Sequence, residues 1–268
     1  MKELLDALRF PGEQELAELP AGKALALTGL HASLAAALAA RASRQGRRGL
    51  LVMDNDLKAS RAADDIRQLA GGVAAHLPGG EIDLTRAAGS LEMQWRRLET
   101  LAAVIREEIQ VLCVGAETLS QRMGRPEPFR ELSVTGKRGG TVSPAALTER
   151  LDRMGYERVG MVEGKGQYAR RGSIIDVYPP ALSQGVRLEF FDDEIDSLRG
   201  FDCISQRSQE DLERAELTPA CEALLRESEY PEASRRMREA LGEETAAPAA
   251  PANLFDSLPP LPEDEEDL

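Results

Sequence analysis

The strongest constraint on this chain's architecture is a change of rhythm near residue 131. Before it, short apolar runs alternate with helical patterns. "KALALTG" (23–29) reads as a strand and "HASLAAALAARASRQG" as an alanine-rich helix ending at Gly46. "RGLLVMD" (48–54) and "LKASRAADDIRQLAGG" repeat the pair, "VAAHLPGG" adds a third short strand, and "GSLEMQWRRLETLAAVIREE" a long helix. That helix carries Leu91, Trp95, Leu98, Leu101 and Ile105 on one stripe. "IQVLCVGAETLSQRM" then predicts a strand running into another helix. Strands that alternate with helices predict a doubly wound, mostly parallel sheet.

From about 131 onward the helices thin out. "ELSVTGKRGG" reads as a strand and a basic turn. "SPAALTERLDRMGY" reads as a helix, with Ser143 in the capping position and a proline opening it. "ERVGMVE", "GSIIDVYP", "VRLEFFDD" and "IDSLRGFD" follow with turn-rich connections, the pattern of an antiparallel meander. The expected fold is therefore α/β: a parallel-sheet domain over 1–130, then a small inserted α+β antiparallel domain over 131–215. Residues 216–268 begin a further segment that ends in an acidic, proline-rich tail, "AAPAAPANLFDSLPPLPEDEEDL".

Composition narrows the function classes. Aromatics make up only 4% of the chain, so its interior must be built mainly from Ala, Leu, Val and Ile. A net charge of -13 argues against wholesale wrapping of nucleic acid, which needs a broad basic surface. Cys113, Cys203 and Cys221 are widely spaced, and Cys113 sits in "VLCVG" as a small buried thiol. That usage suits a reducing cytoplasm and neither a disulfide framework nor a zinc site. With no leader and no long apolar run, a soluble cytoplasmic protein is expected.

The parallel-sheet region invites a search for phosphate chemistry. A phosphate loop needs glycines whose N–H groups surround the anion, then a lysine and a hydroxyl. Here the turn after the first strand reads "LTGLHASLAAALA": Thr28 and Gly29 permit it, and Ser33 is a lone hydroxyl. Leu30, His31 and Ala32 stand where the other groups belong, so no cofactor is expected there. Asp54 ends a strand, where a Mg²⁺ ligand could sit, but reads as a polar strand terminus. His76 has no second ligand nearby, so no metal is expected. No GxSxG motif and only two histidines leave nucleophilic catalysis without support.

The meander offers a binding surface instead. In "GSIIDVYP", alternation puts Ile175 and Val177 on one face and Ile174, Asp176 and Tyr178 on the other. In "VRLEFFDD", Leu188 and Phe190 form the core face, leaving Arg187, Glu189 and Phe191 opposite. Arg187 and Phe191 lie about 13 Å apart along the strand. An outward Phe beside an outward Arg supplies an aromatic anchor with directed donors. Arg170 and Arg171, preceding the neighbouring strand, would extend the patch. Pattern alone leaves a second reading open, in which Arg187 and Glu189 form cross-strand pairs and Phe191 tucks under the turn. Weak DNA binding through Lys137, Arg138, Lys165, Arg170 and Arg171 is a further alternative.

"GQYARRGSIIDVYP" followed by "VRLEFFDDEIDSLRGFDCISQRS" resembles the N-terminal module of bacterial transcription-repair coupling factors (Mfd), itself similar to the damage-recognition protein UvrB. The resemblance extends, more weakly, over about 20–225. It implies that 1–130 is a degenerate helicase-like domain and that the meander is the domain that binds the repair ATPase UvrA. It implies UvrA contacts at Arg171, Arg187 and Phe191, with Arg170 as an added charge. It also implies a role in transcription-coupled nucleotide excision repair as a non-catalytic adaptor. The polymerase-interacting domain, the ATP- and Mg²⁺-dependent DNA translocase and the domain covering the UvrA face are expected to be missing from this chain. The alternative is an ATP-dependent helicase or a UvrB-like damage-recognition protein.

Overall fold

A computed structural model describes residues 31–80 and 89–241, together with Gln14 and Glu18. The expected strand at 23–29, the turn residues Thr28 and Gly29, and the proline-rich tail lie outside the described residues. The chain divides into two units, Met1–Leu224 and Leu225–Leu268. Among the described residues, no helix is long and apolar enough to cross a membrane.

In the first unit, helix α1 (Ala32–Arg44) gives way as expected at Gly46, where a φ of 79° suits glycine. Strand β1 (Gly49–Met53), helix α2 (Asp56–Ala70) and strand β2 (Ala74–Leu77) follow. Helix α3 (Gly89–Ile105) and β3 (Val111–Gly115) follow, and among the described residues the strands form a three-stranded sheet of order β1-β3-β2. Both pairings are parallel, as the strand–helix alternation requires. β3 is the central strand and almost wholly buried, which explains its unbroken apolar run.

Alanines let the helices approach closely. Ala36, Ala37 and Ala40 of α1 pack with Ala59, Ala62, Ala63 and Ile66 of α2 over Met53, Val111 and Cys113. Cys113 is fully buried, and burial pushes its thiol up to about 11. On α3 the expected stripe holds at Leu98, with Trp95 and Ile105 packed beside it, whereas Leu91 is exposed.

Short helices α4 (Ala116–Ser120) and α5 (Pro126–Leu132) lead to β4 (Val134–Lys137) and α6 (Pro144–Arg153). Ser143 caps α6 by accepting from the Ala146 N–H at 3.1 Å. Strands β5 (Glu157–Arg158), β6 (Gln167–Arg171), β7 (Ile174–Val177), β8 (Gly185–Phe191), β9 (Glu194–Phe201) and β10 (Ser208–Asp211) form one six-stranded sheet. Its order is β10-β9-β8-β7-β6-β5, a meander, antiparallel throughout except at the short β5–β6 pair. β11 (Arg214–Leu217) pairs with β4 in a separate ribbon.

One face of the six-stranded sheet is the core. Ile175, Val177, Val186, Leu188 and Leu198 pack against Leu147, Leu151 and Met154 of α6 and its C-terminal end. Tyr168 secures the contact by donating its hydroxyl to Asp152 at 2.6 Å. Trp95 of α3 lies against this core, and a Cβ at Gly166 would come within 2.5 Å of its ring. Gly166 also holds a φ of 78°, so this close approach requires glycine twice over.

In the second unit, a single 3₁₀ turn (Glu227–Glu229) leads into α7 (Tyr230–Leu241). Arg235 links Glu232 and Glu239 along its surface.

Candidate protein-interaction surface

The second face of the six-stranded sheet carries the residues singled out by alternation. Cross-strand partners share a face, and the register aligns Ala169, Asp176, Arg187 and Arg199 in one row. Arg171, Ile174, Glu189 and Ser197 form the next row toward the hairpin ends. Phe191 lies beyond them, where β8 turns into β9 through Asp192 and Asp193. The two-residue loop places Asp192 at a φ of 53°, a left-handed conformation that Asp tolerates.

Phe191 is 74% exposed, so the reading in which it tucks under the turn does not hold. Its outward position follows from the pleat. Phe190 takes the core side at the same strand end, and a bulge at Asp196 of β9 leaves the alternation of β8 intact.

The arginines behave differently from one another. Asp176 is 1% exposed, and its carboxylate accepts two hydrogen bonds from Arg187, from Nε at 2.7 Å and Nη2 at 2.9 Å. Arg171 donates Nη2 to the same carboxylate at 2.6 Å. Arg187 further donates to Ser208 Oγ at 3.2 Å, and its guanidinium lies 5.2 Å from the Phe201 ring centroid. The hydrogen bonds it donates to Asp176 hold the Arg187 guanidinium above the usual arginine range, against the opposing effect of burial.

Arg187 is therefore not the free outward donor expected from alternation. Its side chain is only 13% exposed, because a buried carboxylate one strand away needs its fork. Arg171 divides its role, with 49% of its side chain still open to solvent. Both arginines precede β7 as expected, but they lie inside a strand of their own, β6, and Gly172, at a φ of 62°, makes the turn into β7. The placing of Arg170 requires a correction. Arg170 pairs with Ile175, whose side chain is in the core, so it projects to the opposite face from Arg171. It cannot extend the Phe191 patch directly.

The remaining sequence candidates are scattered. Ser33 is exposed in the first turn of α1, and His31 precedes that helix without a side-chain capping bond. Asp54 pairs with Lys58 on the surface. Lys137 and Arg138 lie in the β4 turn, while Lys165 donates Nζ to the Pro180 carbonyl at 2.7 Å.

Sequence reasoning missed a polar cluster where the three described parallel strands end. Asp56 accepts from the Gly79 N–H at 2.7 Å and from the Thr118 hydroxyl at 2.8 Å. Burial raises its pKa, but these donors outweigh burial and hold the carboxyl below its usual range. A Cβ at Gly115 would come within 2.5 Å of an Asp56 oxygen. At this edge, where open α/β folds bind ligands, the Asp56 carboxylate already has donors from its own chain. His76 stands behind it, with Nε2 buried, 3.7 Å from Asp56 and without a hydrogen bond. Burial lowers its pKa. The sequence signal was "PGG" after β2, together with an acid opening α2.

Residues 134–222 match the model of the UvrB interaction domain. The matched residues run from β4 through α6 and the six-stranded sheet to just past β11. The transcription-repair-coupling factor of Escherichia coli K12 is 41% identical over 126 residues, 47% of this chain and 11% of that protein. The Bacillus subtilis 168 counterpart is 30% identical over 189 residues, 70% of this chain and 16% of that one. UvrABC system protein B of Thermotoga petrophila is 31% identical over 147 residues, 55% of this chain and 22% of its own length. The chain thus resembles the UvrB-like N-terminal module of transcription-repair coupling factors, Mfd, and its match spans 11 to 22% of these relatives.

Proposed function

We propose that this chain is a non-catalytic adaptor of transcription-coupled nucleotide excision repair that docks the repair ATPase UvrA. The docking surface is the second face of the six-stranded sheet, with Phe191 as its anchor. The observation that carries this reading is the 74% exposure of a phenylalanine on a regular, internally braced hairpin of a UvrB interaction domain. Aromatic side chains held rigidly in water are what protein interfaces use as anchors. Arg171 offers the accessible half of its guanidinium to a partner carboxylate. Arg187 acts behind it, holding Asp176 and the strand pair in place.

In this reading residues 1–130 form a helicase-like scaffold into which 131–215 is inserted, and 216–268 starts a third segment. We read this scaffold as carrying no nucleotide chemistry of its own, because no lysine follows Gly29 in the turn after the first expected strand. Work on DNA and RNA polymerase belongs to other parts of such factors, and the module operates in the cytoplasm.

Purified UvrA tests the proposal. It is expected to be retained by the immobilised chain, with Phe191→Ala weakening retention at least tenfold while the thermal midpoint stays unchanged. Undiminished retention by folded Phe191→Ala would refute the anchor.

A further inference from the structure

A second apolar side chain is exposed on a loop fastened to the same sheet face. The loop Asp202–Gln206, joining β9 to β10, exposes Ile204 to 91%, the largest exposure among the large apolar residues described. A lone exposed isoleucine needs no explanation on a loose loop. This loop is not loose.

Asp202 accepts from the Ser205 N–H at 2.7 Å through its carboxylate and from the Gln206 N–H at 2.8 Å through its carbonyl. Its own N–H donates to the Arg207 carbonyl at 3.0 Å. Gln206 holds a φ of 59°, and its side-chain nitrogen donates to both the Val162 and Cys203 carbonyls, at 2.9 and 2.7 Å. Its Oε1 is buried without a partner. Left-handed backbone and an unsatisfied buried oxygen both cost stability, and such costs collect at functional surfaces.

The brace ties the loop to the site already described. Beneath it, Phe201, Val162 and Ala169 form a small core on the second sheet face, and Arg187 stacks on that same Phe201. Arg187 also donates to Ser208, which opens β10 just past the loop. Exposed Met161 adjoins Val162, whose carbonyl the Gln206 amide grips.

We infer that Ile204, supported by exposed Met161 on the segment that the Gln206 amide grips, is a second apolar anchor for the same protein partner. Phe191 marks one end of the docking face, and Ile204 marks the other, beyond Arg187. Phe191 and Arg187 are separated by about 13 Å of strand, so the two anchors embrace a face of the breadth that a specific protein interface needs. This inference rests on the UvrA-docking reading and specifies how far the contact extends.

The experiment compares UvrA affinity for the full chain and for Ile204→Ser, Ile204→Leu and Phe191→Ala. Ile204→Ser is expected to bind roughly tenfold more weakly with an unchanged thermal midpoint, because the side chain touches little of its own fold. Ile204→Leu is expected to bind within about twofold of the unaltered chain, since it keeps the apolar volume. Unimpaired binding by Ile204→Ser alongside weakened binding by Phe191→Ala would overturn the second anchor and leave the docking reading standing. No binding by the unaltered chain would overturn the docking reading and the second anchor with it.

Discussion

The parallel and antiparallel sheets treat their polar groups in opposite ways. At the ends of β1, β2 and β3, Asp56 draws in Gly79 and Thr118, so the place where an α/β sheet meets a ligand is satisfied from within. On the six-stranded sheet, Asp176 also draws in its donors, Arg171 and Arg187, but the result is a stiffened face that leaves Phe191 in water. The same device, a carboxylate held by several donors, satisfies a half-exposed acid on one sheet and braces a buried one on the other. The comparison teaches that a cluster of charges does not by itself identify a binding residue. What the cluster leaves uncovered is the better guide.

Breaking the brace gives the largest expected effect. Asp176→Ala strands two guanidinium groups, one of them nearly buried, and should cost about 3–5 kcal/mol of stability. Denaturant unfolding reads this directly, and a loss below 1 kcal/mol would show that the pair contributes little. Arg187→Ala should also destabilise, because it leaves Asp176 with Arg171 alone, so its effect on partner binding must be separated from folding.

Gly166→Ala sharpens the contrast from the other direction. A methyl group meeting Trp95 at a left-handed position should cost about 1–3 kcal/mol. As the chain has one tryptophan, fluorescence reports the displacement without ambiguity. An unshifted emission maximum would mean that the ring has room to move.

The smallest effect concerns acidity. His76 has its folded pKa lowered by burial, so its contribution to stability is fully present above its unfolded value of about 6.5. That contribution fades as pH falls through this value toward the folded pKa, since the unfolded chain takes up the proton first. Asp56, also lowered, adds a second loss below about pH 4. Unfolding curves of His76→Leu between pH 7.5 and 5.5 should be flatter than those of the unaltered chain, and identical slopes would remove His76 from the account.

Much of this organisation is legible in the sequence. Alternating runs predicted the parallel strands and their helices, and Ser143 with Pro144 marked a helix start that the structure keeps. Strict alternation in "RLEFF" separated Phe191 from the core correctly. β6 was harder to see, because "QYARR" ends in two charges and lacks a repeating apolar position. β10, "SQED", is an exposed edge strand with no apolar signal at all. α5 begins "PEP", which reads as loop until Phe129 and Leu132 are seen to be buried. Most important, alternation can say which way Arg187 points but not what it meets. Its partner depends on the register between β7 and β8, set by the connection from Tyr178 to Gln184, and no local pattern encodes that.

Amide hydrogen exchange on the full chain, with and without UvrA, tests the central claim most directly because it reads both sheets at once. The account predicts slowed exchange in the β8–β9 hairpin and the 202–206 loop on adding UvrA, with β1, β2 and β3 unchanged. Protection confined to the ends of the parallel strands, or no protection anywhere in the antiparallel sheet, would contradict it.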